Sequence, residues 1–258
     1  MRSSSHSIRT LVAAVVMMLV TGLQASAVWA APPVRQLKVM VLKDSPNMSY
    51  RNAQGELVGF NADMARLLCE TIRASCEILE TQLATVVDQV ASGEADFSTA
   101  SLLPTPDRLK KVVFTIPVRW SRSFLIAAKP IGPGLRVAVV EGSRQHAWVE
   151  RVKAERRWTV VPVALNAGLD GALSSGEADA VVAPFTTTVG IVQDGRLGQA
   201  GALSVDPISD PELSLPTTVA VNPAKPELLQ LLNNAIRDVQ SNGKMDQLNS
   251  KYFPLRML

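Results

Sequence analysis

The five residues SGEAD occur twice in the chain, at positions 92–96 and again, letter for letter, at positions 175–179. Each copy follows a segment with helical periodicity, residues 83–91 and 165–173, and precedes a run typical of a β-strand. Because glycine readily adopts the left-handed conformation that ends a helix, each copy marks the passage from a helix into a strand. This repeat, with matching elements on both sides, predicts two lobes of the same α/β type.

Further segments extend this pattern. The runs LKVMVL at 37–42 and LRVAVV at 135–140 are typical of strands that begin the two lobes. An amphipathic helix capped by Asn61 follows the first of them. Because strands alternate with helices, the sequence predicts an α/β fold of two lobes, each a mostly parallel sheet flanked by helices.

The C-terminal elements have no counterpart at the end of the first lobe. Residues 217–221 are predicted to form a strand, and a helix is predicted to start at Pro226 and to stop at Gly243. We expect these elements to return to the first lobe and pack on it.

The chain is therefore expected to cross between the lobes twice, near residues 123–128 and 213–219. Lobe 1 would comprise residues 31–124 and 216–258, and lobe 2 would comprise residues 125–215. Two crossing strands form a hinge, and the cleft between two α/β lobes is a natural ligand site.

The first thirty residues differ in composition from the rest. Arg2 and Arg9 precede an apolar run at 11–20, and small residues follow up to Ala30. These are the parts of a secretory signal peptide, and the apolar run is too short to span a bilayer comfortably. The sequence thus predicts an exported protein, with cleavage after Ala30 or, as the alternative, after Ala27.

Composition argues for a globular protein without a nucleic-acid partner. The 258 residues are 47% hydrophobic and 19% charged, a balance typical of folded domains. Removing residues 1–30 takes two arginines from 26 Lys and Arg, against 23 Asp and Glu, so the net charge falls from +3 to about +1. The densest basic stretch, 144–157, also holds two glutamates and is typical of a solvated helix face.

Cys69 and Cys76 are the only cysteines, and an exported chain permits a disulfide between them. In a continuous helix their Cα atoms would lie about 10 Å apart, beyond the roughly 7 Å limit for a bridge. If they pair, the helix carrying Cys69 must stop near residues 74–75 and the chain must turn back at Cys76. The alternative is two unpaired buried thiols. No metal site is indicated, because the mature chain keeps a single histidine, His146.

The run QGELVGFNAD at 54–63 resembles a signature of periplasmic solute-binding proteins for polar amino acids. Other motifs similar to that family follow in order along nearly the whole mature chain: Cys-x6-Cys, SGEAD at 92–96, TPDR at 105–108, FTIP at 114–117, VVEGS at 139–143, and a tail from 242–243 to 251–253. The cysteine spacing is shared with the histidine and lysine/arginine/ornithine binding proteins. The resemblance implies the two-lobe type II periplasmic binding protein fold with a two-strand hinge.

The resemblance also implies a set of ligand-binding residues. Arg108 occupies the position of the arginine that clamps the ligand's α-carboxylate, and a guanidinium suits that planar anion. Gly142, Ser143 and Arg144 match the turn whose backbone amides contact the same carboxylate. Ser101 matches a residue whose main chain helps to hold the ligand.

Two of these assignments have a plainer alternative. Arg108 can be a surface arginine beside Lys110 and Lys111, and residues 142–144 can form an ordinary strand-to-helix turn. Among the aromatic side chains, Trp120 either lines the cleft or lies outside it.

Four positions depart from what the resemblance implies. Pro184 stands where an acid holds the ligand's α-ammonium, and Leu103 stands where a hydroxyl assists. Ser45 replaces a stacking aromatic, and Leu42 replaces an acid near the first strand. The carboxylate half of the site is thus kept and the ammonium half is lost, which predicts an anionic ligand without a free α-ammonium. Substitution of the missing acid by Asp44 or Glu141 stays open.

Three function classes follow. The first is a monomeric periplasmic solute-binding protein, without cofactor, that delivers its solute to an inner-membrane ABC permease. It closes on a small carboxylate-bearing solute, either an amino acid or an amino-acid-like organic acid. The second is a periplasmic ligand-sensing or accessory protein without a transport role. The third is an enzyme similar to cyclohexadienyl dehydratases, which the sequence disfavours because Pro184 cannot act as an acid or base and no nucleophile pairs with His146.

Overall fold

A computed structural model describes residues 34–193 and 204–253. The predicted signal peptide at 1–30 lies outside the described residues. Within those ranges, no helix combines the length and apolar character needed to cross a membrane.

The strands form two sheets and a short hairpin. In chain order they are β1 (Arg35–Leu42), β2 (Tyr50–Arg51), β3 (Leu57–Val58), β4 (Ala74–Thr81), β5 (Phe97–Leu102), β6 (Val113–Phe114), β7 (Arg119–Ser121), β8 (Ser123–Ala127), β9 (Arg136–Val140), β10 (Thr159–Val163), β11 (Ala180–Pro184), β12 (Ser204–Pro207) and β13 (Leu215–Val221). The helices are α1 (Phe60–Thr71), α2 (Leu83–Ser92), α3 (Pro106–Leu109), α4 (Arg144–Arg156), α5 (Asn166–Ser174), α6 (Phe185–Gln193), α7 (Pro226–Ser241) and α8 (Lys244–Tyr252). A 3₁₀ turn covers Pro211–Leu213.

The two sheets have similar plans. The first has the order β4-β1-β5-β13-β6, with β7 also paired to β13, and the second has the order β10-β9-β11-β8-β12. In each, three neighbouring strands are parallel, namely β4-β1-β5 and β10-β9-β11. The remaining strands join antiparallel. The predicted two-lobe α/β fold is confirmed, and each sheet is mixed because antiparallel strands extend the parallel core.

The two SGEAD copies occupy equivalent corners of the two lobes. The glycine of each copy is left-handed, with φ of 86° and 74°. Asp96 donates its N–H to the Lys38 carbonyl (2.9 Å), and its Oδ2 accepts from the Lys38 N–H (2.5 Å). Asp179 makes the same pair of bonds to Arg136, at 2.8 and 3.0 Å. Each aspartate therefore ties the start of one strand to the neighbouring strand.

Helices cover both faces of the first sheet. The N-terminal helix α1 and the terminal helices α7 and α8 share one core, in which Phe60, Leu68, Leu232 and Ile236 are fully buried. Helix α2 packs on the opposite face. The expected return of the C-terminal elements to the first lobe is confirmed.

The beginning of α1 differs from the prediction. The residue before the helix is Gly59, and the Asn61 side chain does not cap it. Gly59 has φ of 115°, and a Cβ there would lie 2.6 Å from the Met48 carbonyl carbon, so only glycine fits this approach. Asn61 lies instead one residue inside the helix, where its Oδ1 accepts from Ser101 Oγ at 2.8 Å.

The end of α1 allows the disulfide. The helix ends at Thr71, earlier than the predicted stop near residues 74–75, and Arg73 at φ of 53° turns the chain into β4. Cys76 consequently lies within a strand and not at the turn itself. The Cα atoms of Cys69 and Cys76 are 6.2 Å apart and the two sulfurs are bonded.

The chain leaves the first sheet for the second at Arg122, between β7 and β8, and returns after β12 and before β13. The expected first crossing at 123–128 is therefore placed too late, since β8 already pairs within the second sheet. The lobe limits of 31–124 with 216–258, and of 125–215, stay a prediction.

Candidate functional site

A cavity of about 90 Å³ lies between the two sheets. It is bordered by the last residues of four strands, Leu42, Leu102, Val140 and Pro184. These are the carboxyl ends of β1, β5, β9 and β11, the edge where open α/β sheets bind ligands. The SGEAD corners lie at the opposite, amino ends of the strands.

Hydrogen bonds cross the cleft beside this cavity. Asn166 Nδ2 donates to Ser45 Oγ at 2.9 Å. The Ala167 N–H donates to the Asp44 carbonyl at 3.1 Å. The walls supplied by the two sheets are thus in direct polar contact.

Arg108 is presented to the cavity by the short helix α3. Thr105 caps that helix, with its Oγ1 accepting from the Arg108 N–H at 3.4 Å. Arg108 Nη1 donates to the Leu103 carbonyl (3.1 Å), and Nη2 crosses the cleft to the Gly142 carbonyl (3.3 Å). Burial lowers the pKa of Arg108, and the charge of Arg144 lowers this pKa further. Within the described residues, its acceptors are neutral carbonyls and not carboxylates.

Gly142 is placed differently from the other predicted ligand residues. Its N–H donates to His146 Nδ1 at 3.3 Å, and its carbonyl is the one that accepts from Arg108. Gly142 does not line the cavity. It connects the two walls through its carbonyl, which differs from the expected role of its backbone amide toward the ligand.

Ser143 and Arg144 line the cavity at the start of α4. Ser143 caps the helix, with its Oγ accepting from the His146 N–H at 2.9 Å. Arg144 is held by Glu212, since its Nε donates to the Glu212 carbonyl (3.4 Å) and its Nη2 lies 3.7 Å from a carboxylate oxygen. The first amides of an α-helix have no partner inside the helix, so this end presents N–H groups as well as the arginine.

The departing positions Ser45, Leu103 and Pro184 also line the cavity. None of them can carry a negative charge. Asp44 and Glu141, considered as substitutes for the missing acid, do not line it. Among the cavity-lining residues that the structure describes, there is no Asp or Glu.

Arg119 also lines the cavity, although no sequence motif pointed to it. Its residue surface is only 5% exposed. Its Cζ lies 4.5 Å from the ring centroid of Phe60 and 5.3 Å from that of Phe253. Its Nη2 donates to Ser101 Oγ at 3.1 Å, and that hydroxyl donates in turn to Asn61.

The other two side-chain nitrogens of Arg119 are buried hydrogen-bond donors. Within the described part of the chain, its Nε and Nη1 have no hydrogen-bond partner. Burial lowers the pKa of Arg119 to about 9, which still leaves the guanidinium charged at neutral pH. A buried charge without a counter-ion therefore borders the cavity.

The sequence feature that could have pointed to Arg119 is its position within the mainly apolar run VVFTIPVRW at 112–120. A charged residue in such a run is unusual unless it is paired or serves a site. The pattern does not reveal that the side chain lies inward, because its neighbours Phe60, Ser101 and Phe253 come from three distant segments.

Neutral polar side chains complete the second wall. Gln145 Nε2 donates to Ser123 Oγ at 2.8 Å, and Thr187 Oγ1 donates to Asn166 Oδ1 at 3.5 Å. Gln145, Thr187 and Asn166 all line the cavity.

The three tryptophans that the structure describes lie outside the cavity. Trp120 is 54% exposed and does not line it. Trp148 and Trp158 pack together in the core of the second lobe, with ring centroids 6.4 Å apart. In the described ranges, no cluster of three or more His, Cys, Asp or Glu could hold a metal ion.

Comparison with known sequences gives a match over most of the chain. The profile of the family described as bacterial extracellular solute-binding proteins, family 3, matches residues 37–255. The histidine-binding periplasmic protein of Salmonella typhimurium is 26% identical over 238 residues, which cover 89% of this chain and 91% of the relative. The ABC transporter arginine-binding protein 1 of Escherichia coli is 23% identical over 244 residues, which cover 92% and 98%.

Solved structures are similar in fold. An ancestral arginine-binding protein bound to arginine has a TM-score of 0.76 at 23% identity, covering 84% of this chain and 98% of its own. An ancestral amino acid-binding protein, a precursor of cyclohexadienyl dehydratase, has a TM-score of 0.71 at 22% identity, covering 84% and 95%.

Proposed function

Because the chain belongs to the bacterial extracellular solute-binding proteins of family 3, we propose that it is the periplasmic solute-binding component of an ABC importer. Its solute is a small organic acid of amino-acid size that carries a carboxylate but no free α-ammonium. The family is one of solute-binding proteins, so the chain is a binding protein and not an enzyme.

The names of the relatives support the role in transport. They are described as periplasmic or ABC transporter binding proteins for arginine or histidine. A monomer that docks on an inner-membrane permease is the corresponding arrangement for this chain. The disulfide between Cys69 and Cys76 suits the oxidising periplasm.

The observation that carries the choice of solute is the charge of the cavity. Arg108, Arg119 and Arg144 line it, whereas none of its described lining residues is acidic. Positive groups in a partly desolvated cleft attract an anion more strongly than they would in water. The same field opposes a cationic group on the solute.

A carboxylate has a physical reason to bind at Arg108. The guanidinium now donates to two neutral carbonyls, one from each side of the cleft. A carboxylate would accept charge-assisted bonds from the same planar fork, and such bonds are about twice as strong as neutral ones. Because this contact joins both walls, the solute would favour the closed arrangement of the lobes.

An α-ammonium lacks a matching acceptor. A buried ammonium needs a carboxylate or several oriented oxygens to offset its desolvation. Pro184 and Leu103, at the positions implied for that task, offer no charge. A solute whose α-carbon bears no amine therefore fits better than a standard amino acid.

Matched solute pairs test this proposal. The protein, unfolded and refolded to remove co-purified solutes, would be titrated calorimetrically with L-glutamate and glutarate, and with L-leucine and 4-methylpentanoate. We expect the deaminated member of a pair to bind more tightly. At 100 times its Kd it should stabilise the protein by about 2.7 kcal/mol in thermal unfolding.

Arg108→Met should weaken the binding of the responding acid about 10- to 100-fold, because a charged hydrogen-bond partner is lost. Arg237→Met is the matched control, since Arg237 is exposed on α7 and contacts Asn234. Tighter binding of L-α-amino acids than of their deaminated partners would refute the choice of solute, and equal loss in both variants would refute the role of Arg108.

A further inference from the structure

We propose that Arg119 holds a second anionic group of the solute, so that the cavity selects a compact dicarboxylate. This inference rests on the proposed function, because it concerns the same cavity. One carboxylate lies at Arg108, and the other lies against the wall formed by Arg119, Ser101 and Asn61.

The position of Arg119 makes it part of the site and not of the surface. It begins β7, the strand that precedes the passage between the sheets, and it is 95% shielded while still bordering the cavity. Thr217, which also lines the cavity, donates its Oγ1 to the Arg119 carbonyl at 3.3 Å and fixes the backbone there.

The partners of Arg119 leave its charge uncompensated. A guanidinium has five N–H donors. The described acceptors are Ser101 Oγ at 3.1 Å and the weak acceptor Met48 Sδ at 4.0 Å, both reached by Nη2. Arg119 forms no ion pair within the described residues, although burial of an unpaired charge is strongly unfavourable.

The aromatic rings offset only part of the cost of burying the Arg119 charge. The faces of Phe60 and Phe253 attract the cation, but a ring face accepts no in-plane N–H bond. Such a contact stabilises a cation by less than the cost of burying a charge without a counter-ion. An anion in the adjoining cavity supplies both a counter-charge and acceptors for the in-plane N–H groups of Arg119.

The backbone next to Arg119 also has an unusual conformation at Ser101. Ser101 has φ of 54°, a conformation that is unfavourable for a residue with a side chain. Its hydroxyl donates to Asn61 Oδ1, which leaves the Oγ lone pairs directed to Arg119. The Ser101 hydroxyl thus links the buried cation of Arg119 to Asn61.

The rest of the cavity suits the body of such a solute. Leu42, Leu83, Leu103 and Val182 provide apolar lining in the same cavity as the charged groups. A short hydrocarbon spine with a carboxylate at each end combines these two features.

The test compares glutarate with its monoamide, glutaramate, which replaces one carboxylate by a neutral group of the same shape. Calorimetric Kd values would be measured for the natural protein and for the Arg119→Met, Arg119→Lys and Arg237→Met variants. Succinate and adipate would test the length of the spine. Circular dichroism and thermal unfolding would establish that each variant is folded.

We expect the natural protein to bind at least one dicarboxylate of the series at least about tenfold more tightly than glutaramate. Arg119→Met should remove this preference by weakening dicarboxylate binding about 10- to 100-fold, with glutaramate changed by less than about threefold. Arg119→Lys should keep part of the preference, and Arg237→Met should keep all of it.

The outcomes separate the two proposals. If carboxylates bind but the natural protein does not prefer the dicarboxylate, or if Arg119→Met retains the preference, Arg119 has only a packing role and this inference is wrong. If no carboxylate binds and Arg108→Met has no effect on any solute, the proposed function itself is wrong. If Arg119→Met fails to fold, the preference of the natural protein and its change in Arg119→Lys still decide.

Discussion

Asp179 and Arg119 are both buried charges, but within the described residues only Asp179 is paired with opposite charges. Asp179, in the second lobe, accepts from the backbone N–H of Arg136, from its guanidinium and from Lys129. Arg119, at the edge of the cavity, meets one hydroxyl, one thioether and two aromatic rings. The charge at the repeat corner is satisfied within the protein, whereas the charge proposed to bind the solute keeps two donors without a partner in the described residues.

The largest expected effect concerns the satisfied charge. Asp179→Ala should lower the free energy of unfolding by about 2–4 kcal/mol, because the ties to the neighbouring strand and to two cations are lost together. Urea unfolding followed by circular dichroism measures this loss.

The matched control is the other copy of the repeat. Asp96→Ala removes one backbone bond and the contact with Lys225, so it should cost less, about 1–2 kcal/mol. Equal costs for the two substitutions would contradict the view that the guanidinium of Arg136 makes the second corner the stronger one.

The same corner should respond to acid. Hydrogen bonds from Arg136, together with those from Lys129, hold the pKa of Asp179 well below its ordinary value of 3.8. Because the folded pKa is depressed, the stabilisation is fully present at neutral pH and is lost as the pH falls below about 4.

The difference in melting temperature between the natural protein and Asp179→Asn should therefore shrink between pH 5 and pH 2, with both proteins measured in the same buffers. A difference that stays constant across this range would mean that the carboxylate charge does not contribute to the corner.

The smallest expected effect concerns the unsatisfied charge. In protein freed of solute, Arg119→Met should leave the melting temperature unchanged or raise it by a few degrees, since about 1 kcal/mol shifts a domain of this size by 2–4 °C. Differential scanning calorimetry measures the change. A large fall in melting temperature would instead place Arg119 with Asp179, as a structural charge.

The fold was largely predictable because local patterns report it. The SGEAD repeat, the alternation of helices and strands, and the Pro226 start of α7 all describe residues close in sequence. Errors arose where a distant segment decides the geometry. Asn61 does not cap α1 because the approach of Met48 requires Gly59 at that point, and Asn61 is used by Ser101 instead.

The candidate site was predictable in part. The resemblance to a family pointed to Arg108 and to the departures at Leu103 and Pro184, and these residues do line the cavity. It did not reveal Arg119, because a family pattern highlights positions where a role is expected. The surroundings of Arg119 exist only after four segments of the chain have come together.

The placement of the two SGEAD corners at the amino ends of the strands, with the cavity at their carboxyl ends, separates what must be preserved from what can be altered. The two aspartates anchor β1 with β5 and β9 with β11 at one end, and the opposite ends of these four strands border the cavity. Substitutions at the cavity ends of these strands can change which solute binds without weakening the aspartate ties at their other ends. Because the two regions are separate, the selectivity for the solute can be redesigned by substitutions at the carboxyl ends of the strands alone.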